Sequence, residues 1–461
     1  MTAGRNARRL FAGWAPYAVA VALSAAILGF DLGERMLTTN DEARFPVMAR
    51  DILSHGHWLF PETSGVPMLN KPPLHAWLIA LAGWPTGVVS QRVAALPSWL
   101  GALGVVAVTC WIARRLFGAD AGLAAALIVA TTAGMFAMAR SAVPDMTLSF
   151  GIVAAMAAFV AAELDGSRGA WVGFYALVAM AFWAKGPAGL LPIVIVIVYE
   201  WAIRGWRGLA RMRPGVGAVI VVLLVAPWWL LAAHVGREQF LRDVVRNDMM
   251  QGYSPLRALT WDRAIQPFNA AVTIVLPWSL VLPFAVCWAV RRWKSASATG
   301  ERLALVWSLT VFILVAASSR QRWRYYLPLC VPAALLVAGW SRSRRVGRDT
   351  MTVVAACAVA AGILIVGDAS RLTRDNRSTE WRTMARALER APAPLFALDA
   401  PELVFAFYLD RPIKAISSAA ELNGIDPPFY VIARSPPEAA SFAAASEGLV
   451  NGRRFVLWAK R

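Results

Sequence analysis

Two adjacent carboxylates, Asp41 and Glu42, stand shortly after the first long apolar segment of the chain. Charged side chains at a membrane surface are costly to keep there unless they have a role. A carboxylate placed beside an acceptor hydroxyl can serve as a general base in a transfer reaction. The structural alternative is a helix start, because Thr39 lies three positions before Glu42 in a capping-box spacing and acids favour the first helical turn. The residues alone leave both interpretations open.

A third carboxylate, Asp145, follows Pro144 at the end of a later apolar segment that we place on the same side of the membrane. Helix capping would explain it, but an acid at that depth must also find a partner. We therefore predict that Asp41, Glu42 and Asp145 supply the catalytic carboxylates of one site.

Three groups of basic residues could complete such a site. Lys71 ends the polar loop that Asp41 opens, and Lys185 lies between two apolar segments, where it either contacts a phosphate or extends to the interface. The run from Arg320 to Tyr326 either holds a phosphate or anchors lipid headgroups. For binding of a donor phosphate we predict five residues: Lys71, Lys185, Arg320, Arg324 and Tyr325. For other substrate contacts we predict four: Arg44, Asn70, His75 and Arg140.

No metal site is predicted from the histidines and cysteines. His55 and His57 are two positions apart, and a metal site there would need ligands from other loops, so we interpret them as ordinary loop residues. The four cysteines each lie alone in an apolar segment, without a CxxC spacing, and are interpreted as packing residues.

The composition is that of a polytopic membrane protein. Of 461 residues, 58% are hydrophobic and 16% are charged, where a soluble domain carries about 25% charged residues. The net charge of +18 fits the retention of basic residues on the cytoplasmic side. The arginines lie between apolar segments rather than on one soluble face, so we predict no nucleic-acid binding.

About eleven apolar segments approach the length that crosses a bilayer. They are residues 14–30, 93–113, 121–139, 144–162, 170–184, 187–203, 214–234, 269–290, 303–317, 326–340 and 351–366. Arginine-rich turns predict a cytoplasmic N-terminus and an outward C-terminus. The outward loops nevertheless hold many basic residues, which suggests an anionic ligand such as a lipid phosphate.

The composition becomes soluble after about residue 370, and helix and strand patterns alternate there. We predict helices at 380–390, 402–408 and about 437–445, and strands at 394–398, 429–433 and 454–458. This predicts a small α/β domain over 371–461, which would act as a lid, a support or an acceptor-docking element. The membrane domain would cover 1–370, with its first outward loop at 34–91.

Several motifs together resemble those of the bacterial GT-C glycosyltransferases, in the branch of protein O-mannosyltransferase-like enzymes and lipid A aminoarabinose transferases. The motifs are Asp41-Glu-Ala-Arg44, Met68-Leu-Asn-Lys-Pro-Pro73, Arg114-Arg-Leu-Phe-Gly118, Arg140 with Asp145-Met, Lys185-Gly-Pro187, Pro277-Trp278 and Tyr325-Tyr-Leu-Pro328. Asn70 departs from the family, because the lipid A enzymes usually carry glutamate there.

The resemblance implies an all-α polytopic GT-C membrane fold with amphipathic helices in the first outward loop. It implies an undecaprenyl-phosphate-linked sugar donor and transfer at the periplasmic face of the bacterial inner membrane. It also implies that Asp41 is the catalytic acid or base, that Lys71 lines the donor-phosphate region and that Asp145 is the second acid.

We therefore expect an inverting glycosyltransferase that works as a monomer among membrane lipids. Its acceptor would be lipid A, another envelope glycolipid or a glycan, and no cofactor or obligatory metal is expected. The alternatives are a protein acceptor, as in the O-mannosyltransferases, and a transporter or flippase of lipid-linked sugars. A transporter would need charged sites near the bilayer midplane, whereas the acids here cluster on one face.

Overall fold

The computed structural model describes residues 2–242, 261–318, 321–343, 350–377, 379–390, 393–437 and 442–460. The helices in these ranges are α1 Thr2–Leu28, α2 Asn40–His55, α3 Leu74–Gly83, α4 Gln91–Phe117, α5 Ala119–Ala130, α6 Ala133–Met138, α7 Asp145–Asp165, α8 Arg168–Lys185, α9 Leu191–Arg204, α10 Trp206–Arg211, α11 Pro214–Phe240, α12 Trp261–Val275, α13 Leu282–Arg291, α14 Thr299–Ala316, α15 Cys330–Ser343, α16 Thr350–Arg377, α17 Arg382–Arg390 and α18 Glu402–Leu409. The strands are β1 Glu62–Thr63, β2 Val66–Pro67, β3 Leu395–Leu398, β4 Lys414–Ile416, β5 Phe429–Ala433, β6 Phe442–Val450 and β7 Arg453–Lys460.

Each of the eleven predicted apolar segments falls on helix. Within the described ranges, six stretches are long and apolar enough to cross a membrane: Gln91–Phe117, Asp145–Asp165, Arg168–Arg204, Pro214–Phe240, Thr299–Ala316 and Thr352–Arg371. Some predicted spans contain breaks. The segment at 121–139 is divided between α5 and α6, and the segment at 269–290 is divided between α12 and α13.

The membrane helices pack around one large hydrophobic core, in which Trp307, Tyr199 and Phe159 are among the fully buried side chains. Alanines and glycines allow close approach of the helices. Gly151 on α7 lies directly against the backbone of Ala181 on α8, so a side chain at position 151 would collide with it.

The C-terminal region forms a mixed five-stranded sheet in the order β4-β3-β5-β7-β6. β3 pairs in parallel with both β4 and β5, while β7 runs antiparallel to β5 and β6. This confirms the mixture of helix and strand predicted from the sequence, apart from two errors. The strand β4 was not predicted. The helix expected at about 437–445 is wrong: residues 442–450 form β6, and residues 438–441 lie outside the described part of the chain.

The first loop and the C-terminal domain share a second hydrophobic core. Phe45 and Met48 of α2 and Ile79 of α3 lie in one cluster with Phe405 of α18 and Leu457 of β7. α2 is amphipathic as expected, but α3 is mainly apolar. The two-residue strands β1 and β2, which pair antiparallel between these helices, were not predicted. The shared core fixes α2 against the soluble domain.

Candidate active site

A cavity of about 700 Å³ opens between the first loop and the membrane helices. Its polar part is lined by Asp41, Arg44, Asn70, Lys71, Asp145, Lys185, Arg322, Arg324 and Tyr325. Its apolar part is lined by Leu148 and Ile152 of α7, Leu191 and Val194 of α9, and Leu314 and Val315 of α14. One space therefore offers a charged end and an apolar end, as an amphiphilic ligand requires.

Asp41 lies in the first turn of α2 and faces three guanidinium groups. Thr39 caps this helix, because its side chain accepts the N–H of Glu42 at 3.3 Å. Arg44 Nη1 lies 3.1 Å from Asp41 Oδ1, and Arg324 Nη2 lies 2.9 Å from Asp41 Oδ2. Arg322 pairs with the same Oδ2 atom. The helix start thus holds the carboxylate rigidly at the cavity wall.

Asp145 lies deeper, at the start of α7, with 4% of its side chain exposed. Lys185 Nζ donates a hydrogen bond to Asp145 Oδ1 at 2.6 Å. Arg324 Nε lies 3.8 Å from Asp145 Oδ2, so Arg324 spans the two carboxylates. A buried carboxylate is tolerated when cations pair with it, and here the pairing joins Asp41 and Asp145 into one network.

Lys185 owes its position to the end of α8. Gly186 has φ +62, a conformation that favours glycine, and it turns the chain into a short 3₁₀ segment at Gly186–Leu190. The ammonium of Lys185 then lies 4.4 Å from the ring centroid of Tyr325. Such a cation–π contact stabilises the cation and fixes its position.

The structure brings together most, but not all, of the residues selected from the sequence. Asp41, Asp145, Lys71, Lys185, Arg324, Tyr325, Arg44 and Asn70 line the cavity. Glu42, His75 and Arg140 are buried behind its wall. Arg320 lies outside the described residues.

The three residues behind the wall have structural partners. Glu42 Oε1 pairs with Arg35 Nη2 at 2.8 Å. Arg140 Nη1 pairs with Asp368 at 2.5 Å, which joins α16 to the segment before α7. The Glu42 pair holds the segment before α2, and none of these four residues lines the cavity.

His75 is fully buried, and its Nδ1 lies 2.9 Å from Thr147 Oγ1. Burial lowers the pKa of His75 to about 4, although the charge of Asp145 and a hydrogen bond that the ring donates to the backbone of Ala142 partly oppose this. His75 is therefore neutral at physiological pH. It packs edge-on against Phe45 of α2, and so connects α3 with the helix that carries Asp41.

Sequence reasoning missed Arg322 as an individual site residue. It belongs to the arginine-rich run from Arg320 to Tyr326 that the sequence analysis selected. Arginines occupy every second position of that run, and this spacing does not decide which of them face the cavity. The structure places Arg322 and Arg324, two positions apart, on the same carboxylate.

Residues 70–231 match the family described as dolichyl-phosphate-mannose-protein mannosyltransferase. Over 343 residues the chain is 29% identical to the undecaprenyl phosphate-alpha-4-amino-4-deoxy-L-arabinose arabinosyl transferase of Edwardsiella ictaluri, covering 71% of this chain and 59% of that protein. The enzyme of the same name from Pectobacterium atrosepticum is 27% identical, over 70% of this chain and 58% of its own length. The chain thus spans about three fifths of the length of these curated relatives.

Solved structures show the same fold. ArnT from Cupriavidus metallidurans in the apo state matches with a TM-score of 0.78 and 20% identity, covering 96% of this chain and 98% of that one. The oligosaccharyltransferase of Archaeoglobus fulgidus matches with a TM-score of 0.61 and 13% identity, covering 90% of this chain and 69% of that one.

The chain therefore has the architecture of the membrane GT-C glycosyltransferases, as the sequence predicted. Within that class its sequence is similar to the arabinosyl transferases named above.

Proposed function

We propose that this protein transfers a sugar from a polyprenyl-phosphate donor to an acceptor in the cell envelope. The observation that carries the proposal is the convergence of Asp41, Asp145, Lys185 and Arg324 in one cavity that continues into an apolar groove. The apolar groove suits a polyprenyl tail, and the cations suit its phosphate. The arabinosyl transferases named above use donors of this kind according to their names, and an ArnT structure holds undecaprenyl phosphate.

The arginines give a reason for ordered binding. Arg322 and Arg324 both pair with Asp41. A donor phosphate entering the cavity competes for the same guanidinium groups, since guanidinium binds phosphate and carboxylate by the same fork of N–H donors. Donor binding would then release Asp41 toward the acceptor hydroxyl.

The transfer itself exchanges one bond at the anomeric carbon. The acceptor oxygen attacks that carbon while its proton passes to the Asp41 carboxylate. The bond from the carbon to the phosphate oxygen breaks, and its electron pair leaves with the polyprenyl phosphate. Lys71, Lys185 and Arg324 would stabilise the charge that develops on the phosphate. Attack from the side opposite the leaving group inverts the anomeric centre.

We further propose that these cations serve in place of an obligatory metal ion, because fixed ammonium and guanidinium groups can neutralise a phosphate leaving group. Asp145 would position Lys185 and Arg324 rather than take the proton. The protein would work as a monomer in the bacterial inner membrane, with its N-terminus cytoplasmic and its C-terminal domain periplasmic. The acceptor would be lipid A or a related envelope glycolipid.

The test is sugar transfer by purified protein in detergent from a synthetic polyprenyl-phosphate sugar. We expect Asp41→Asn to lower the transfer rate by at least about a hundredfold, the scale of a lost general base, while donor binding persists. Asp426→Asn removes the same charge from an exposed position of the C-terminal domain and serves as the matched control. If Asp41→Asn transfers sugar at the wild-type rate, Asp41 is not the general base. Transfer only to a protein acceptor would support the O-mannosyltransferase alternative.

A further inference from the structure

Three side chains with metal-ligating atoms converge at the C-terminal end of α2. His55 Nδ1 lies 3.0 Å from Asp51 Oδ1, and His57 Nδ1 lies 3.0 Å from Asp51 Oδ2. The two imidazole rings stack with their centroids 5.7 Å apart. The ligand atoms of all three residues lie within 4.8 Å of one another.

The local backbone builds this cluster. Asp51 and His55 are four residues apart and therefore share one face of α2. Gly56 ends the helix with φ +75, and its N–H bonds to the carbonyl of Ile52. This left-handed turn brings His57 back over His55. A residue other than glycine at position 56 would adopt the turn at a cost.

The carboxylate of Asp51 is held in place from the other side. Its Oδ2 also accepts the N–H of Glu62 at 2.7 Å, where β1 begins. The Asp51 side chain is 12% exposed, whereas those of His55 and His57 are 65% and 44% exposed. One ligand is thus oriented by the fold, and two are open to solvent and to an incoming ion.

The spacing suits a tetrahedral ion. Zinc binds imidazole nitrogen at about 2.0–2.1 Å, which places neighbouring ligand atoms about 3.3 Å apart. The two distances of 3.0 Å join each imidazole to a different oxygen of Asp51 and are also hydrogen-bond lengths. One ligand atom from each of the three residues lies within 4.8 Å of the others, so rotation of the two exposed imidazoles would bring them around an ion. Imidazole with carboxylate is a donor set for zinc, copper or nickel rather than for magnesium or calcium. The carbonyl groups at the end of α2 add a favourable negative potential.

We propose that Asp51, His55 and His57 form a binding site for a divalent transition metal of the zinc type. Two imidazoles and one carboxylate would hold the ion, and water would complete its coordination. The ion would fasten the end of α2 to His57 in the segment that follows it, beside the hydrogen bond that joins Asp51 to β1. The site is separate from the cavity, because Asp41 lies at the other end of α2, roughly 15–20 Å away at 1.5 Å per residue, and none of the three residues lines the cavity.

The experiment is a zinc titration of the full chain, purified in detergent without a histidine tag and stripped of metal with a chelator. We expect one zinc ion per chain, bound in the micromolar range or tighter and accompanied by a rise in Tm. The double variant His55→Ala with His57→Ala is expected to lose well over about tenfold in zinc affinity, because loss of even an outer-shell partner costs about that much. His234→Ala removes an exposed histidine of α11 and is expected to bind zinc as the wild type does.

Three results would overturn the proposal: binding weaker than millimolar in the wild type, unchanged zinc affinity in the double variant, or an equal loss of affinity in the His234 control. If the double variant does not fold, His57→Gln at the exposed loop position replaces it. The result is independent of sugar transfer, since the readouts are stoichiometry and affinity in the absence of donor.

Discussion

Replacing Lys185 by methionine tests the charge network of the cavity most directly. Lys185 Nζ lies 2.6 Å from Asp145 Oδ1, and 4% of the Asp145 side chain is exposed. Removing one member of a buried pair leaves an uncompensated charge, which costs about 3–5 kcal/mol. Arg324 Nε remains 3.8 Å from the other oxygen of Asp145, so we expect the free energy of unfolding to fall by an amount near the lower limit, about 3 kcal/mol.

The double variant Asp145→Asn with Lys185→Met should recover much of this loss, because it removes the charge together with its partner. Asp145→Asn alone should cost less than Lys185→Met, since the Lys185 side chain is 21% exposed and its ammonium can turn toward the cavity. The expected interaction energy between the two changes is about 2 kcal/mol, within the range of residues in direct contact.

The assay is reversible unfolding of the purified protein in mixed micelles, followed by tryptophan fluorescence for the two single variants and the double variant. Lys414→Met removes a lysine from the exposed strand β4 and is expected to change the free energy of unfolding by less than about 0.5 kcal/mol. Strict additivity of the two single changes would refute the reasoning, because it would show that Asp145 and Lys185 do not depend on each other.

Three further predictions concern the surroundings of the cavity. Asn40→Ala removes the hydrogen bonds that its side chain makes with Glu402 and with the N–H of Leu403, and we expect a lower rate of sugar transfer with little change in donor affinity, measured by steady-state kinetics. Burial holds the pKa of His75 at about 4, so the unfolded chain binds more protons than the folded chain below pH 6.5. The free energy of unfolding of the wild type should therefore fall by up to about 1.4 kcal/mol per unit as the pH is lowered from about 6.5 to 4. His75→Gln should flatten that slope in unfolding experiments. Burial raises the pKa of Tyr408 to about 12, so the Tyr408 hydroxyl loses its proton at a lower pH in the unfolded chain than in the folded one. The free energy of unfolding should therefore fall as the pH rises from about 10 to about 12. The Tm of Tyr408→Phe should fall less than that of the wild type over that range.

The sequence predicted the helices and most of the polar residues of the cavity because the signals for both are local. Long apolar runs must become helices in a bilayer, and Thr39 before Glu42 predicted the helix start that presents Asp41. The placement of Asp41, Lys71 and Asp145 on one face followed from counting spans, and the structure brings all three to the same cavity.

What the sequence could not predict depends on contacts between distant residues. The alanine-rich segment Phe442–Val450 has helical propensity, but pairing with β7 makes it a strand, because tertiary context overrides a weak local preference. The partner of Glu42 is Arg35, and that of Arg140 is Asp368. Neither pairing has a sequence signal. The role of Asp51 between two histidines was missed because its distance from His57 is set by the turn at Gly56.

The contacts of the C-terminal domain favour a support for α2 over a lid on the cavity. Tyr408 of α18 accepts the N–H of Leu37 at 2.6 Å, just before the helix that carries Asp41. Arg50 near the other end of α2 donates to the carbonyl of Phe407 at 2.6 Å. A lid must separate from the surface that it covers, whereas these bonds and the shared hydrophobic core attach both ends of α2 to α18. The position of the proposed catalytic carboxylate therefore depends on residues more than 300 positions later in the chain, and truncation of the C-terminal domain should abolish transfer without touching the cavity.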